Sequence, residues 1–374
     1  MSSRPTRAII SLTNLEANFR SIRNFLGDGP VILCVVKADA YGHGAIACSK
    51  RLEKAGTDWL GVALPEEGFE LRNAGIRTPI LAMGSFWSGQ EESIIEKRIT
   101  PAIFNMDVAR ALDSAAGRLG VTVSAHLKVD TGMGRIGVLP EQIPVFAAEL
   151  KQLRNVRIDG LMTHLAAADD LSQSDYTEHQ NRLFNEAADV LNQAGHSLKC
   201  LNVANSPGAI AHPASRHDMV RIGGILYGRG VDVLPPGIPA PELLPVMSIV
   251  SEIAHIKEVP KGVSLGYGRT FSTDRPSVIA TVPIGYHDGL PRSLSNKGDV
   301  LVRGKRAPIA GRISMDWTIV DVTDIGGVSI GDRVTVLGTD GDESIGVEEI
   351  ARHAGTISYE ITCGIHGRAR REYA

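Results

Sequence analysis

Polar and charged residues interrupt an otherwise apolar pattern at regular intervals. Lys37 ends the run VILCVV, Lys128 ends VTVSAHL with Arg135 seven residues on, and His164 follows VRIDGLMT. Asn205 and Ser206 follow LNVA, while Arg221, Ile222 and Gly223 lie in MVRIGG. One charged residue at the end of an apolar run is ordinary; a series of them from five runs points to a single pocket. A lone lysine there usually lays its stem over apolar surface and keeps its head in water. Among apolar neighbours and beside other functional groups, its ammonium form is disfavoured, its pKa falls and the amine becomes nucleophilic. That is the requirement for a Schiff base with a carbonyl group. Arg221 is a cation that no proton transfer can neutralise.

Three other patterns carry less. Gly132, Gly134 and Gly137 match GxGxxG, but the match follows the fifth strand-like run, and Pro140 delays the helix that would receive a pyrophosphate. His164 with Asp169 and Asp170 lacks the spacing of a metal site, so no metal is expected. Tyr286-His287-Asp288 has the composition of a partial proton relay.

The elements that must position these groups can be read from periodicity. Eight runs at 31–39, 58–64, 78–84, 100–105, 121–130, 156–165, 198–206 and 219–228 read as strands, with amphipathic helical patterns between them. Near-continuous apolar strands alternating with helices predict a parallel sheet of βαβ units. Eight such strands over about 200 residues fit a closed (β/α)8 barrel, with an open doubly wound sheet as the alternative. Residues 231–245 hold five prolines and read as a linker. Beyond them short strand-like runs separated by Gly and Asp predict a smaller, mainly β domain in which only 347–355 is helical. The expected division is therefore a barrel over 1–235 and a β-rich domain over 236–374, with the first residues able to pair with the latter.

Bulk properties narrow the class. The 374 residues are 43% hydrophobic and 22% charged, and the net charge of −3 carries no basic stripe of a nucleic-acid binder. Small molecules and further copies of the chain are the expected partners. The four cysteines, Cys34, Cys48, Cys200 and Cys363, are scattered without a CxxC pair and read as buried or half-buried reduced thiols. No secretory signal and no membrane-spanning run are visible, so a soluble cytoplasmic protein is expected.

The segment VVKADAYGHG (35–44) closely resembles the pyridoxal-phosphate attachment segment of alanine racemases. LKVDTGMGRIG, MTHLAAAD, ANSPGA and VRIGGILYG resemble that family's next segments, in its order. GYGRTF, VPIGYHDGLPR, GRISMDW and SYEITCGI extend the likeness through the second domain. The resemblance implies pyridoxal 5'-phosphate held by Lys37 as a Schiff base, and interconversion of L- and D-alanine by two-base proton transfer. Lys37 and Tyr267 would be the opposed bases. An unperturbed tyrosine titrates near 10, so Tyr267 would need positive neighbours to act at neutral pH.

By the same resemblance Arg221 would face the pyridine nitrogen, keep it unprotonated and so disfavour transamination. His164 would support Arg221. Ser206, the amides of Ile222 and Gly223, Tyr41 and Tyr359 would hold the phosphate. Arg135 and the amide of Met315 would take the substrate carboxylate. Lys128, in a carbamylated form, would orient Arg135. Asn205, Tyr286 and Asp316 would be supporting residues, Tyr286 at the substrate entrance. The family is homodimeric, with the second domain of one subunit completing the barrel site of the other, and supplies D-alanine as a peptidoglycan precursor; the sequence does not separate that role from a catabolic one.

The alternatives are a racemase of broader specificity and a pyridoxal-phosphate decarboxylase on the same two-domain plan. An acidic residue against the ring nitrogen would favour the decarboxylase; this chain offers Arg221. A barrel-only binding protein would lack the second domain that carries Tyr267. Two positions depart from the family's usual residues: Asn202 stands where histidine is common and Ser314 where cysteine is. Both are expected in or around the substrate corridor.

Overall fold

The computed structural model describes residues 4–374. The chain divides into two compact units, one formed by residues 15–40 and 45–243, the other by residues 4–14, 41–44 and 244–374. The first strand, β1 (Arg7–Ile10), belongs to the second of these.

The first unit is a closed barrel of eight parallel strands: β2 (Val31–Val35), β3 (Trp59–Val62), β4 (Ile80–Ala82), β5 (Ile99–Ile103), β6 (Val123–Lys128), β7 (Val156–Met162), β8 (Cys200–Asn202) and β9 (Met219–Ile222). Closure is direct: β2 pairs with β9 from Val31↔Met219 to Cys34↔Ile222. An open sheet would leave two strands as edges; here the pairing of the first strand of the series with the last leaves none. The strands are near-continuous Val, Ile and Leu because both their faces are covered. Leu33, Leu60, Ile80 and Leu81 are fully buried, each worth roughly 1.5–3 kcal/mol of transfer free energy.

The intervening helices bury one stripe each. Helix Met106–Arg118 buries Ala109, Leu112, Ala115 and Ala116 and starts at Asn105, whose side chain accepts from the Asp107 N–H. Helix Ser174–Gln193 buries Phe184, Ala187, Ala188 and Leu191 at the same three-to-four spacing. The proline-rich stretch 231–243 has no helix or strand; it stays with the barrel unit and buries Val233 and Leu234.

The second unit is mainly β. Its strands are β10 (Met247–Glu252), β11 (His255–Val259), β12 (Ser264–Leu265), β13 (Phe271–Ser272), β14 (Ser277–Val282), β15 (Asp299–Val302), β16 (Lys305–Pro308), β17 (Thr318–Asp321), β18 (Arg333–Asp340), β19 (Glu343–Ile345) and β20 (Arg370–Tyr373). The main sheet runs β16-β15-β18-β10-β1-β20, with β19 on β18; β11-β14-β17 form a second sheet and β12-β13 a hairpin. β1 lies antiparallel to β10 and parallel to β20. The helix Val347–Ala354 falls in the stretch that reads as helical, but it is not alone: a second helix, Ser358–Cys363, follows it in a segment too short to show a helical period.

Candidate active site

Lys37 stands two residues beyond the end of β2, half-buried, after the buried pair Val35 and Val36. The ladder to β3 ends with Val35↔Gly61 and a last bond from the Val36 N–H to the Gly61 carbonyl, 2.8 Å. The chain then makes a left-handed turn: Ala38, Asp39, Ala40 and Tyr41 all have φ between 51 and 54°. None is glycine. Left-handed residues cost about 1–2 kcal/mol each, and four in a row persist only where the surroundings fix them. The Ala40 N–H reaches back to the Val36 carbonyl at 2.9 Å, and Asp39 Oδ1 accepts from the Ala45 N–H at 2.7 Å.

Arg221, on β9, is 3% exposed and points into the barrel. Its Nη1 donates to the Asn202 carbonyl (3.0 Å) and to Asn202 Oδ1. Its Nη2 donates to the carbonyls of Thr163 (2.8 Å) and Val203 (3.0 Å) and to His164 Nδ1 (3.2 Å). Each of these acceptors is neutral. Because Nδ1 of His164 accepts, the ring proton sits on Nε2. Asn202 thus holds the Arg221 guanidinium from β8. It is fully buried on β8, its Nδ2 donates to Met219 Sδ at 3.2 Å, and this fixes the amide with its oxygen toward Arg221.

The barrel mouth collects positive charge. Lys128, at the end of β6, is 5% exposed and donates to the Met83 carbonyl at 3.0 Å. Burial, with the cations of Arg221, Arg135 and Lys37, pulls its pKa from 10.5 down to about 7; Asp130 opposes this only weakly. Burial and the same cations, Lys128 included, hold His164 well below the usual histidine range. Lys37, Lys128, Arg135, His164 and Arg221 thus share one electrostatic neighbourhood. Arg135 is exposed on the loop after β6. That loop returns to its own start: the Asp130 N–H bonds the Val138 carbonyl, and Asp130 Oδ1 accepts from the N–H groups of Gly132 and Gly134. The GxGxxG glycines serve this closed turn.

Ser206 Oγ accepts from the Gly223 N–H at 2.9 Å, which joins the loops after β8 and β9. Asn205 caps the short helix Ser206–Ala211: its Oδ1 accepts from the Gly208 N–H and its Nδ2 donates to the Leu165 carbonyl. Ile222, the last residue of β9, is buried. Four clustered cations, with neutral hydroxyl and amide groups beside them, are a donor set suited to a dianionic phosphate and a carboxylate.

The remaining sequence-predicted residues lie in the β-rich unit. The Tyr41 and Tyr359 rings are 5.6 Å apart and tilted by 54°. Tyr267 is 71% exposed at the tip of the β12–β13 hairpin. Gly266 and Gly268 flank it with φ of 71 and 72°, conformations that side-chain-bearing residues resist, and a Cβ at Gly268 would sit 2.8 Å from Arg312 Nη1. The two glycines present the tyrosine rather than merely loosening the turn.

Met315 is 51% exposed in a turn built by Ser314, whose Oγ accepts from the Trp317 N–H and donates to the Trp317 carbonyl. The carbonyls of Ser314 and Met315 accept from the N–H groups of Tyr286 and His287. Ser314 thus shapes the turn that carries Met315. Asp316 pairs with Arg368 at 2.7 Å. Asp288 is fully buried and takes both Arg4 and Arg368, so Tyr286-His287-Asp288 is an anchoring turn rather than a relay. Among the described residues no disulfide joins the cysteines; Cys34 and Cys48 are buried, Cys200 is half-buried and Cys363 is exposed, where a buried thiol was expected. Among the described residues no helix is long and apolar enough to cross a membrane.

Comparison with known proteins meets this geometry over the whole chain. The alanine racemase N-terminal domain family matches residues 10–230, and the alanine racemase C-terminal domain family matches residues 246–373. The alanine racemase of Halothermothrix orenii is 44% identical over 374 residues, covering 99% of this chain and 97% of that protein. The solved alanine racemase of Clostridium difficile 630 superposes with a TM-score of 0.93 at 38% identity, covering 100% of this chain and 97% of its own. The Bartonella henselae alanine racemase, solved with covalently bound pyridoxal phosphate, gives a TM-score of 0.88 at 29% identity, with 99% of each chain covered. In both halves of its sequence and in its fold, the chain belongs to the alanine racemase family.

Proposed function

We propose that this protein interconverts L- and D-alanine, with pyridoxal phosphate attached to Lys37 Nζ. The observation that carries this reading is Arg221. Bound, the cofactor supplies an electron sink that acidifies the Cα proton of an amino acid. A guanidinium held by neutral acceptors cannot pass a proton to a ring nitrogen beside it, because it stays charged at any working pH. With the cofactor bound, Arg221 would thereby keep the sink weak and favour return of the proton to Cα over its transfer elsewhere. A carboxylate in the same place would favour other outcomes.

Lys37, Tyr41, His164, Ser206, Arg221, Ile222, Gly223 and Tyr359 are the residues proposed to hold the cofactor. The gathering of Lys37, Lys128, Arg135 and Arg221 around His164 supports this, since clustered cations suit an anionic group. Arg135 and the Met315 amide would bind the substrate carboxylate. Asn205, Tyr286 and Asp316 would support the site. Lys37 Nζ would take or return the proton on one face of Cα, and Tyr267 Oη on the other. A general base left 71% exposed is an inefficient arrangement in a lone chain. We therefore read the protein as a homodimer in which Tyr267 and Met315 serve the partner's barrel.

At a pKa of about 7, Lys128 is half neutral at physiological pH. Its amine can then attack carbon dioxide, forming a C–N bond and releasing a proton. The resulting carbamate would be an anion among Arg135, Arg221 and Lys37. We place the enzyme in the cytoplasm, as a source of D-alanine for peptidoglycan.

Borohydride reduction followed by peptide mapping tests the assignment. The visible absorption of the holoenzyme should bleach and Lys37 should carry the label; a label on another lysine would overturn the reading. Interconversion of D- and L-alanine, run beside serine and lysine, sets the substrate range.

A further inference from the structure

We infer that Glu67 is a positioning residue for Lys37, clamping the lysine-bearing end of β2 to the end of β3; the inference rests on the role proposed for Lys37. Glu67 Oε1 accepts from the N–H of Ala38, the residue after the lysine, at 2.6 Å. Its Oε2 accepts from the N–H groups of Ala63 (2.7 Å) and Leu64 (3.1 Å), which follow β3. The β2–β3 ladder has already ended at Gly61. Beyond it the carboxylate is the tie between the two strand ends.

The bond to Leu64 is one half of a capping box, in which a glutamate in the first helical turn reaches back to the residue before the helix. Here that residue is leucine, which has no oxygen to reciprocate. Capping helix Pro65–Asn73 uses one oxygen only. The second oxygen spans 29 residues of sequence to the neighbour of Lys37. Among the described residues no lysine or arginine forms a salt bridge with Glu67, so its charge is directed at these three N–H groups.

A fixed backbone matters because the turn next to the lysine is under strain. Residues 38–41 are all left-handed, and an unheld first amide would let them relax. A lysine that must be attached, released and recaptured in each turnover delivers Nζ to one place only while its Cα stays still.

Glu67→Gln is the test, because it keeps size while leaving one acceptor. The amide oxygen can serve Ala38 or the pair Ala63 and Leu64, and the amide NH2 then faces a donor on the other side. In Glu67→Gln, kcat should fall about 10- to 100-fold, the cost of displacing a reacting group by a fraction of an ångström to one ångström, with KM for alanine little changed. Reattachment of pyridoxal phosphate to Lys37 in the apoprotein, followed by its visible absorption, should slow in parallel. The apoprotein amides of 36–45 should exchange faster with solvent. Glu67→Asp, too short to span the gap, should repeat the defect, and Glu66→Gln, an exposed neighbour bonded to Gln90, should not. If Glu67→Gln reattaches cofactor at the wild-type rate, the inference is wrong. It is equally wrong if kcat falls only in step with the melting temperature. Borohydride labelling runs alongside: label on a lysine other than Lys37 would refute the functional reading itself, whereas Lys37 labelled with unchanged kinetics refutes only the clamp.

Discussion

Lys128 offers the sharpest test of the crowded cations. It is 5% exposed, and its pKa falls from 10.5 in the unfolded chain to about 7 in the fold. Between those values the unfolded chain binds a proton that the folded one does not, so this residue makes stability rise with pH through that window. At roughly 1.4 kcal/mol per pH unit the penalty at pH 7 is at most about 4–5 kcal/mol, and at pH 9.5 about 1.5 kcal/mol. Lys128→Met removes the group while keeping its volume. It also strands the Met83 carbonyl, at about 1 kcal/mol. The variant apoprotein should therefore be more stable than wild type at pH 7, by up to about 3 kcal/mol, with the gain gone by pH 9.5. Urea titrations at several pH values in carbonate-free buffer measure this. Bicarbonate should stabilise wild type at pH 7 by turning the amine into an anion among cations, and should leave Lys128→Met unmoved. If the variant is less stable at pH 7, or both proteins share one pH slope, the cations do not press on Lys128 and the argument fails.

Three further predictions concern the same site. Tyr267→Phe should suppress exchange of the α-proton of L-alanine far more than it weakens cofactor retention; near-normal exchange in both directions would end the two-base model. Arg221→Glu should raise transamination relative to racemisation, and should lower stability because the carbonyls of Asn202, Thr163 and Val203 lose their donor; an unchanged product ratio would refute the ring-nitrogen argument. His164 is held well below the usual range, and His126, 3% exposed, is pushed by burial to about 4. Neither imidazole should titrate between pH 5.5 and 8 in a histidine-labelled NMR spectrum of the apoprotein, and a midpoint near 6.5 for either would contradict the geometry.

The barrel was legible because its eight strands repeat one signal, an apolar run closed by turn residues. The polar strand ends were legible for the same reason, since each stands out against such a run. What the runs hide is which side of a strand a residue faces. A strand buried on both faces does not alternate, so nothing in LNVA tells that Asn202 bonds Arg221. The left-handed turn was also invisible. Ala38, Asp39, Ala40 and Tyr41 include no glycine to advertise positive φ, and their conformation is imposed by bonds such as that from Glu67. Glu67 itself reads locally as an ordinary first-turn helix acid, because its distinguishing partner is remote in sequence. The pairing of the first residues with the β-rich domain was legible, but their partners β10 and β20 were not, because both lie far off in sequence.

The pairing of β1 with β10 and β20 also governs how the protein emerges from the ribosome. Ile10 leaves the exit tunnel long before Met247 and Tyr373, its neighbours' residues in the finished sheet. At about 5–20 residues per second, the first strand waits roughly 10–50 s for β10, and longer for β20. Throughout that interval the nascent chain can complete its barrel yet carries β1 without its sheet partners, open to chaperones or to a neighbouring nascent chain. β20, made long after β1, therefore closes the sheet that β1 began, and deleting β20 should compromise the packing of β1 as well.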